Sequence, residues 1–328
     1  MIKNFCRENQ LLSRVYLPAR ELAWRLWSAC RGRQIWKAHG CPDRFIHFFG
    51  GGIGDDLMCS VLCRELKRRG AKRVIMISRR RELFVDNPDV DEVIAPDEQM
   101  LACLSHLPGK LTVPVYHKKG HNDGAYDTPE EHILVLMCRI AGISGEVELR
   151  PVFHLSEDEK NSGIHAPLQI AVQSEGTNFP TKNWYPARFQ EVIDAFRKEV
   201  TFVQIGGKDD HLLHGVIDQR GNSFRETASI LHNSHLFLGL VGFFMHLARS
   251  VECPSAIIYG GREAPWQGGY SCNENIVNAP HCSPCWHAHR CDYDMQCMDQ
   301  IKIPQVIAAV QKLLDRPRDH LPVDKVTI

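Results

Sequence analysis

No stretch of this 328-residue chain reaches the ~18 uncharged apolar residues of a membrane span. Neither sign of charge dominates. The 39 Lys and Arg are balanced by 39 Asp and Glu, so the chain as a whole has no pull toward nucleic acid. The start lacks a continuous apolar run and a small-residue cleavage site, which predicts no secretory leader and a cytoplasmic protein. An even cysteine framework is absent as well. The count of 13 is odd, and nine cysteines are scattered, as buried thiols are in a reducing compartment. A phosphate-cradling G-x-G-x-x-G is also missing, because Leu57 holds the place of its third glycine.

What the chain does have is concentrated at residues 45–57. Phe45, Ile46, Phe48 and Phe49 read as a buried strand. Glycines 50, 51, 52 and 54 make a turn that side chains would block. Asp55 and Asp56 then open an amphipathic helix carrying Leu57, Val61, Leu62 and Leu66. A carboxylate at this helix start repels a phosphate, and the helix dipole favours its ionised form. That describes a general base at the mouth of a cleft better than a cofactor loop.

Residues 1–40 hold eight Lys or Arg and two Glu, with Leu22, Ala23, Leu26, Trp27 and Cys30 on one helical face. Such a segment suits an anionic membrane surface, or packs on the first domain with its arginines in solvent. Residues 41–155 and 156–328 each alternate strand and helix patterns, which predicts two α/β domains with parallel sheets, with a linker at 151–167. A helix over 130–141 is predicted, capped by Thr128. Ligands in such sheets sit beyond the carboxyl ends of the strands.

Several loops after predicted strands carry polar chemistry. Residues 174–184 offer Ser174, Thr177 and Lys182, the donors and point charge that hold a diphosphate, or an ordinary solvated loop. Asp210 follows Gly206 and Gly207 at a predicted helix start, where it accepts from ribose hydroxyls or complements the dipole. Gly242, Met245 and His246 open another helix after a strand; amides there face an anion, and His246 contacts phosphate or sits in the core. Lys118 and His121 lie in a basic loop. Cys282, Cys285, Cys291 and Cys297, within the Cys-rich insert 281–298, form C-x2-C-x5-C-x5-C. They suit a structural zinc or iron ion, or remain free thiols or a redox pair. Nothing in the sequence attaches this cluster to the chemistry.

Taken together these stretches resemble glycosyltransferase family 9, the heptosyltransferase-like enzymes of lipopolysaccharide core assembly. Gly52-Ile-Gly-Asp-Asp-Leu57 is similar to the family's small-x-Gly-Asp-hydrophobic motif, and residues 85–94 to its NPxVDEV segment. Lys182-Asn-Trp184 resembles its Lys-x-Trp motif, residues 203–207 its second-domain strand, and Met245-His-Leu-Ala248 its His-Leu-Ala helix. The likeness runs from about residue 44 to 315; its weight lies in the order of the motifs. It implies a GT-B fold, two Rossmann-like domains facing across a cleft, the first for acceptor and the second for nucleotide sugar. It implies inverting transfer of a sugar, with heptose the candidate, to a glycan or glycolipid acceptor, with no cofactor required for catalysis. It implies a bacterial protein, peripheral on the cytoplasmic face of the inner membrane. Asp55 takes the catalytic-base position. Ser174, Thr177, Lys182, Asp210, Gly242, Met245 and His246 fall on the donor side, and Gly52, Gly54, Lys118 and His121 on the acceptor side. The family commonly reads Asp-Ser/Thr-Gly-x-x-His before the second-domain helix, whereas here the acidic position is Val241. Two alternatives stand beside this reading: a protein-directed heptosyltransferase and a non-catalytic nucleotide-sugar-binding relative. A dinucleotide-dependent oxidoreductase is disfavoured by Asp55.

Overall fold

The computed structural model describes residues 10–117, 128–176, 180–287, 290–317 and 321–328, with side chains of the first helix from residue 21 onward. Thr177, Lys118 and His121 lie outside the described residues. The first half comprises α1 (Gln10–Ala38), β1 (Arg44–Ile46), α2 (Ile53–Arg68), β2 (Val74–Ile77), β3 (Glu92–Ile94), α3 (Glu98–Leu104), β4 (Leu111–Thr112), α4 (Ile133–Ile140) and β5 (Glu146–Glu148). Four of these strands form a parallel sheet in the order β3-β2-β1-β4. The second half begins with α5 (Glu157–Lys160), β6 (Gln169–Val172), α6 (Pro186–Phe196), β7 (Thr201–Gln204), β8 (Ile217–Asp218) and α7 (Phe224–Asn233). It continues with β9 (Leu236–Leu240), α8 (Phe243–Ser250), β10 (Ser255–Ile258), α9 (Pro265–Gly268), β11 (Glu274–Ile276), α10 (Gln296–Asp299), α11 (Ile303–Leu314) and β12 (Lys325–Thr327). Its parallel sheet runs β11-β10-β9-β6-β7-β8, and β12 returns to pair antiparallel with β5.

Strands β2, β6, β9 and β10 are buried along their whole length, as parallel strands covered on both faces must be. The two sheets share a continuous apolar core, which reaches from Leu57, Val61 and Leu62 of α2 to Leu247 and Ala248 of α8. Gly54 makes the close approach between the halves: a Cβ there would stand 3.1 Å from His246 Cδ2 and 3.5 Å from Phe243 Cα. The starts of α2 and α8 therefore meet at the cleft.

Three local expectations change. Phe49 is 70% exposed, because β1 ends at Ile46 and Phe48 takes the inward place beside Tyr116, at 5.9 Å between ring centroids. The helix expected from residue 130 starts at Ile133, and its cap is His132, not Thr128. Pro129 instead offers its carbonyl to Gln267 of the second half, at 2.9 Å. Asp210 opens no helix; its Oδ2 accepts from the Gly207 amide at 2.8 Å and closes a turn.

Helix α1 packs through Ser28, Gly32, Ile35 and Trp36, not through the face expected from its apolar residues. A Cβ at Gly32 would stand 2.5 Å from the Cys103 carbonyl oxygen, so only glycine lets α1 lie this close to α3. Trp36 Nε1 donates to the Pro42 carbonyl at 2.8 Å. Ahead of that anchor, Leu22, Trp24, Leu26 and Trp27 are exposed, and the two tryptophans stack at 5.1 Å.

Candidate active site in the cleft

The two adjacent aspartates have divided roles. Asp56 is buried, and its Oδ2 accepts from Ser78 Oγ at 2.7 Å and Arg80 Nη1 at 2.8 Å. Arg80 also reaches the Gly51 carbonyl at 2.5 Å, so Asp56 pins the glycine turn through β2. Asp55 has a single protein hydrogen bond among the described residues, from the Tyr116 hydroxyl to Oδ1 at 2.7 Å. Its Oδ2 lies against Gly52, where a Cβ would stand 1.9 Å away. The expected helix stabilisation of an ionised Asp55 is overridden. Desolvation in the cleft raises its pKa, and the Tyr116 hydrogen bond with the His117 and Lys182 charges only partly offsets that. A carboxylate poised nearer neutrality is what general-base chemistry uses.

Across the cleft, Lys182 Nζ stands 2.6 Å from Glu263 Oε1, and both side chains are largely buried. Arg262 Nη1 bonds the same oxygen, Oε1. Burial works to raise the Glu263 pKa, but Lys182 and Arg262 outweigh it and hold the carboxyl below its usual range. Burial lowers Lys182, and Glu263 draws it partly back. Arg262 is fixed from behind: Nε donates to the His287 carbonyl at 2.9 Å, and its guanidinium lies 5.1 Å from the Trp286 ring centroid.

Gly242 precedes α8 with φ of +150°, a conformation that favours glycine, and among the described residues nothing lies within 4 Å of where its Cβ would be. The amino end of α8 is thus uncovered by the described residues, the arrangement that attracts an anion. His246 is buried and its Nδ1 lies 2.6 Å from the Tyr270 hydroxyl. Desolvation pushes its pKa down to about 3, so the ring is neutral. Met245 is a core side chain, its sulfur accepting from Tyr259 at 3.1 Å, and presents no surface to the cleft. Val241 is buried as well. Ser174 Oγ is buried at the end of β6 and among the described residues has no hydrogen-bond partner, an orphan group that a ligand would satisfy. One Asp210 oxygen is committed to Gly207.

The cysteine segment does touch this site. Thr181 Oγ1 donates to the His287 carbonyl at 3.1 Å, and the amides of Cys285 and Trp286 donate to Gly261 and Arg262 at 3.2 and 3.1 Å. Cys282, Cys285, Cys291 and Cys297 line one cavity of about 250 Å³ with Arg262. Four thiols are the donor set that zinc or iron prefers. As folded they do not close on an ion: among the described residues no group of three or more His, Cys, Asp or Glu side chains is placed to hold one.

Arg262 and Glu263 were not among the residues singled out from sequence. Two glycines, Gly260 and Gly261, directly after a buried strand were the available signal.

No family model and no curated protein matches the chain. Solved structures do, and they define the architecture as GT-B, two Rossmann-like domains facing across a cleft, in the form seen in glycosyltransferase family 9. One is the iron-containing dodecameric glycosyltransferase TibC from enterotoxigenic E. coli H10407, 19% identical over 84% of this chain and 79% of that one, with a TM-score of 0.66. The E. coli ADP-heptose lipopolysaccharide heptosyltransferase II is 15% identical over 83% and 98%, with a TM-score of 0.62. The family 9 glycosyltransferase from Veillonella parvula DSM 2008 is 16% identical over 83% and 97%, with a TM-score of 0.58.

Proposed function

We propose that this chain is an inverting glycosyltransferase that moves a sugar, with heptose the first candidate, from a nucleotide-diphosphate donor to a lipopolysaccharide-type glycan or glycolipid. The observation that carries this is the meeting of Asp55 with Lys182 and Arg262 in one cleft, a base on one wall and cations on the other. Asp55 takes the proton of the acceptor hydroxyl as its oxygen attacks the anomeric carbon. The bond from that carbon to the diphosphate breaks, and the charge that develops there is met by Lys182, Arg262 and the open amino end of α8. Ser174 Oγ supplies a further donor. The positive charge for the leaving group thus comes from side chains and backbone, and the transfer step invokes no metal. TibC has been solved with ADP-D-beta-D-heptose, which makes the ADP conjugate the first donor to try. Calorimetry of the purified protein with ADP-, GDP- and UDP-sugars tests the reading. Selective micromolar binding of one donor, lost in Lys182→Ala, is expected. Absence of binding across the panel by folded protein points instead to a non-catalytic relative, for which the buried Val241 is the structural hint.

Two parts of the proposal stand outside the transfer step. A zinc or iron ion at Cys282, Cys285, Cys291 and Cys297 requires the thiols to rotate inward across their shared cavity. Metal analysis finding about one ion per chain, lost in Cys282→Ser with Cys285→Ser, supports it. Peripheral membrane contact rests on the exposed Leu22, Trp24, Leu26 and Trp27 of α1. No helix among the described residues is long and apolar enough to cross a membrane. Co-sedimentation with anionic lipid vesicles is expected, and Trp24→Ser with Trp27→Ser should abolish it.

A further inference from the structure

The strand order of the second sheet puts Glu263 in an unusual place. Lys182 follows β6 and Glu263 follows β10, and β9 lies between those two strands. The ion pair between them therefore spans the end of β9 and the amino end of α8. β9 ends in Val241, buried and apolar, and brings no charge to this point. Glu263 is 8% exposed. Its surroundings come from both domains: Tyr116 of the first half lies within its field, as do Lys182, Arg262 and His246 of the second.

The way its two oxygens are used is informative. Lys182 and Arg262 both bond Oε1. Arginine–carboxylate pairs are frequently two-pronged and then engage both oxygens. Here both contacts recorded among the described residues fall on Oε1 and none on Oε2. A buried carboxylate held ionised by two cations, with one oxygen unspent beside a phosphate-binding lysine, is an acceptor waiting for a hydroxyl. On a nucleotide-sugar donor, the hydroxyl nearest the diphosphate is the one on the sugar carbon next to the anomeric centre, fewer bonds away than those of the ribose.

We propose that Glu263 determines sugar specificity: Oε2 accepts a hydrogen bond from a hydroxyl of the sugar whose diphosphate lies at Lys182. This rests on the transferase reading above. Lys182 and Arg262 keep Glu263 charged and fixed, so the hydrogen bond is charge-assisted, and a donor lacking that hydroxyl leaves a buried acceptor unpaired.

The test compares ADP, GDP and UDP with their glucose, mannose and heptose conjugates by calorimetry, in wild type and Glu263→Gln. Wild type should prefer one conjugate over its free nucleoside diphosphate. In Glu263→Gln that preference should fall by about 10–100-fold, the span of a hydrogen bond to a charged group. Affinity for the free diphosphate should hold or tighten, because Lys182 and Arg262 lose a competing anion. Lys182→Ala, in contrast, should weaken conjugate and free diphosphate together. A series of monodeoxy conjugates on wild type gives a reading that does not depend on the variant folding. One deoxy position should lose about 10–100-fold, and that loss should vanish in Glu263→Gln. A Glu263→Gln protein that keeps its sugar preference, or a wild type indifferent to every deoxy position, overturns the assignment and leaves the transferase reading standing. Folded wild type that binds no nucleoside diphosphate and no conjugate overturns both.

Discussion

Replacing Asp55 by Asn keeps the shape of the side chain and removes its charge. Tyr116 still finds an oxygen to donate to, so the 2.7 Å hydrogen bond has an acceptor in the variant. Two effects of opposite sign should follow. Transfer should fall by about 10²–10⁴-fold, the range a positioned general base contributes. Stability at neutral pH should rise, because the ionised form is the one that burial disfavours: desolvation lifts the Asp55 pKa against Tyr116, His117 and Lys182. The folded protein then holds the Asp55 proton more tightly than the unfolded chain does. Wild type accordingly loses stability as pH rises from the ordinary carboxylate range up through the raised value. Asparagine has no such window. The difference in unfolding free energy, variant minus wild type, should be smallest below the window, grow across it and stay flat above it. Its plateau should exceed its low-pH value by about 0.5–2 kcal/mol, the yield of a single stabilising change. Urea unfolding at a series of pH values between about 3 and 8 spans the window. A difference that does not grow with pH refutes the desolvation argument, and transfer at the wild-type rate refutes the base.

Gly52→Ala pushes a methyl to within 1.9 Å of Asp55 Oδ2, and the carboxylate is the part free to move. We expect kcat to fall by more than about tenfold, as small misplacements of reacting groups do, while the unfolding midpoint shifts little. Tyr270→Phe leaves His246 Nδ1 without its 2.6 Å partner and should cost about 1–3 kcal/mol in urea unfolding. His246 titrates at about 3, so the pH–rate profile near neutrality should keep its shape in that variant. Arg249 is buried, and among the described residues it donates one hydrogen bond, to the Pro322 carbonyl at 2.9 Å, and lies 5.9 Å from the Tyr270 ring centroid, while its Nε and Nη1 find no hydrogen-bond acceptor. Arg249→Met should leave stability unchanged or higher, and a loss above about 2 kcal/mol would show that the guanidinium is compensated after all.

Elements set by local periodicity were legible. The apolar spacing of residues 303–314 alone predicts α11, and the run at 236–240 predicts β9, because burial of one face or of both decides these segments. What local pattern could not show is which competitor wins where two elements meet. The start of α4 lies three residues beyond the expected start at 130, because Pro129 turns to Gln267 across the cleft. Asp55 and Asp56 are indistinguishable as letters. Ser78 and Arg80, from the end of a different strand, capture one and leave the other to the cleft. The difference between the two carboxylates appears only when β1 and β2 lie side by side.

Glu263 sharpens this point. Its partner is Lys182, far away in the chain, and such a pair leaves no local trace. There was nonetheless a usable rule. Each charged group identified in the cleft or its pinning network follows the end of a buried parallel strand within about ten residues: Asp55 and Asp56 after β1, Arg80 after β2, Lys182 after β6, Asp210 after β7, and Arg262 with Glu263 after β10. Strand β9 brings no charge to the cleft: Val241, Gly242 and Phe243 follow it, and its first charged residue, Arg249, is buried in α8 and bonds the Pro322 carbonyl. Reading charge by strand end, not by motif, marks 262–263 as candidate site residues and the loop after β9 as the position without charge. The strands flanking β9 deliver opposite charges that meet over its end, so an anion at the start of α8 would have a cation and a carboxylate beside it without any contribution from β9 itself.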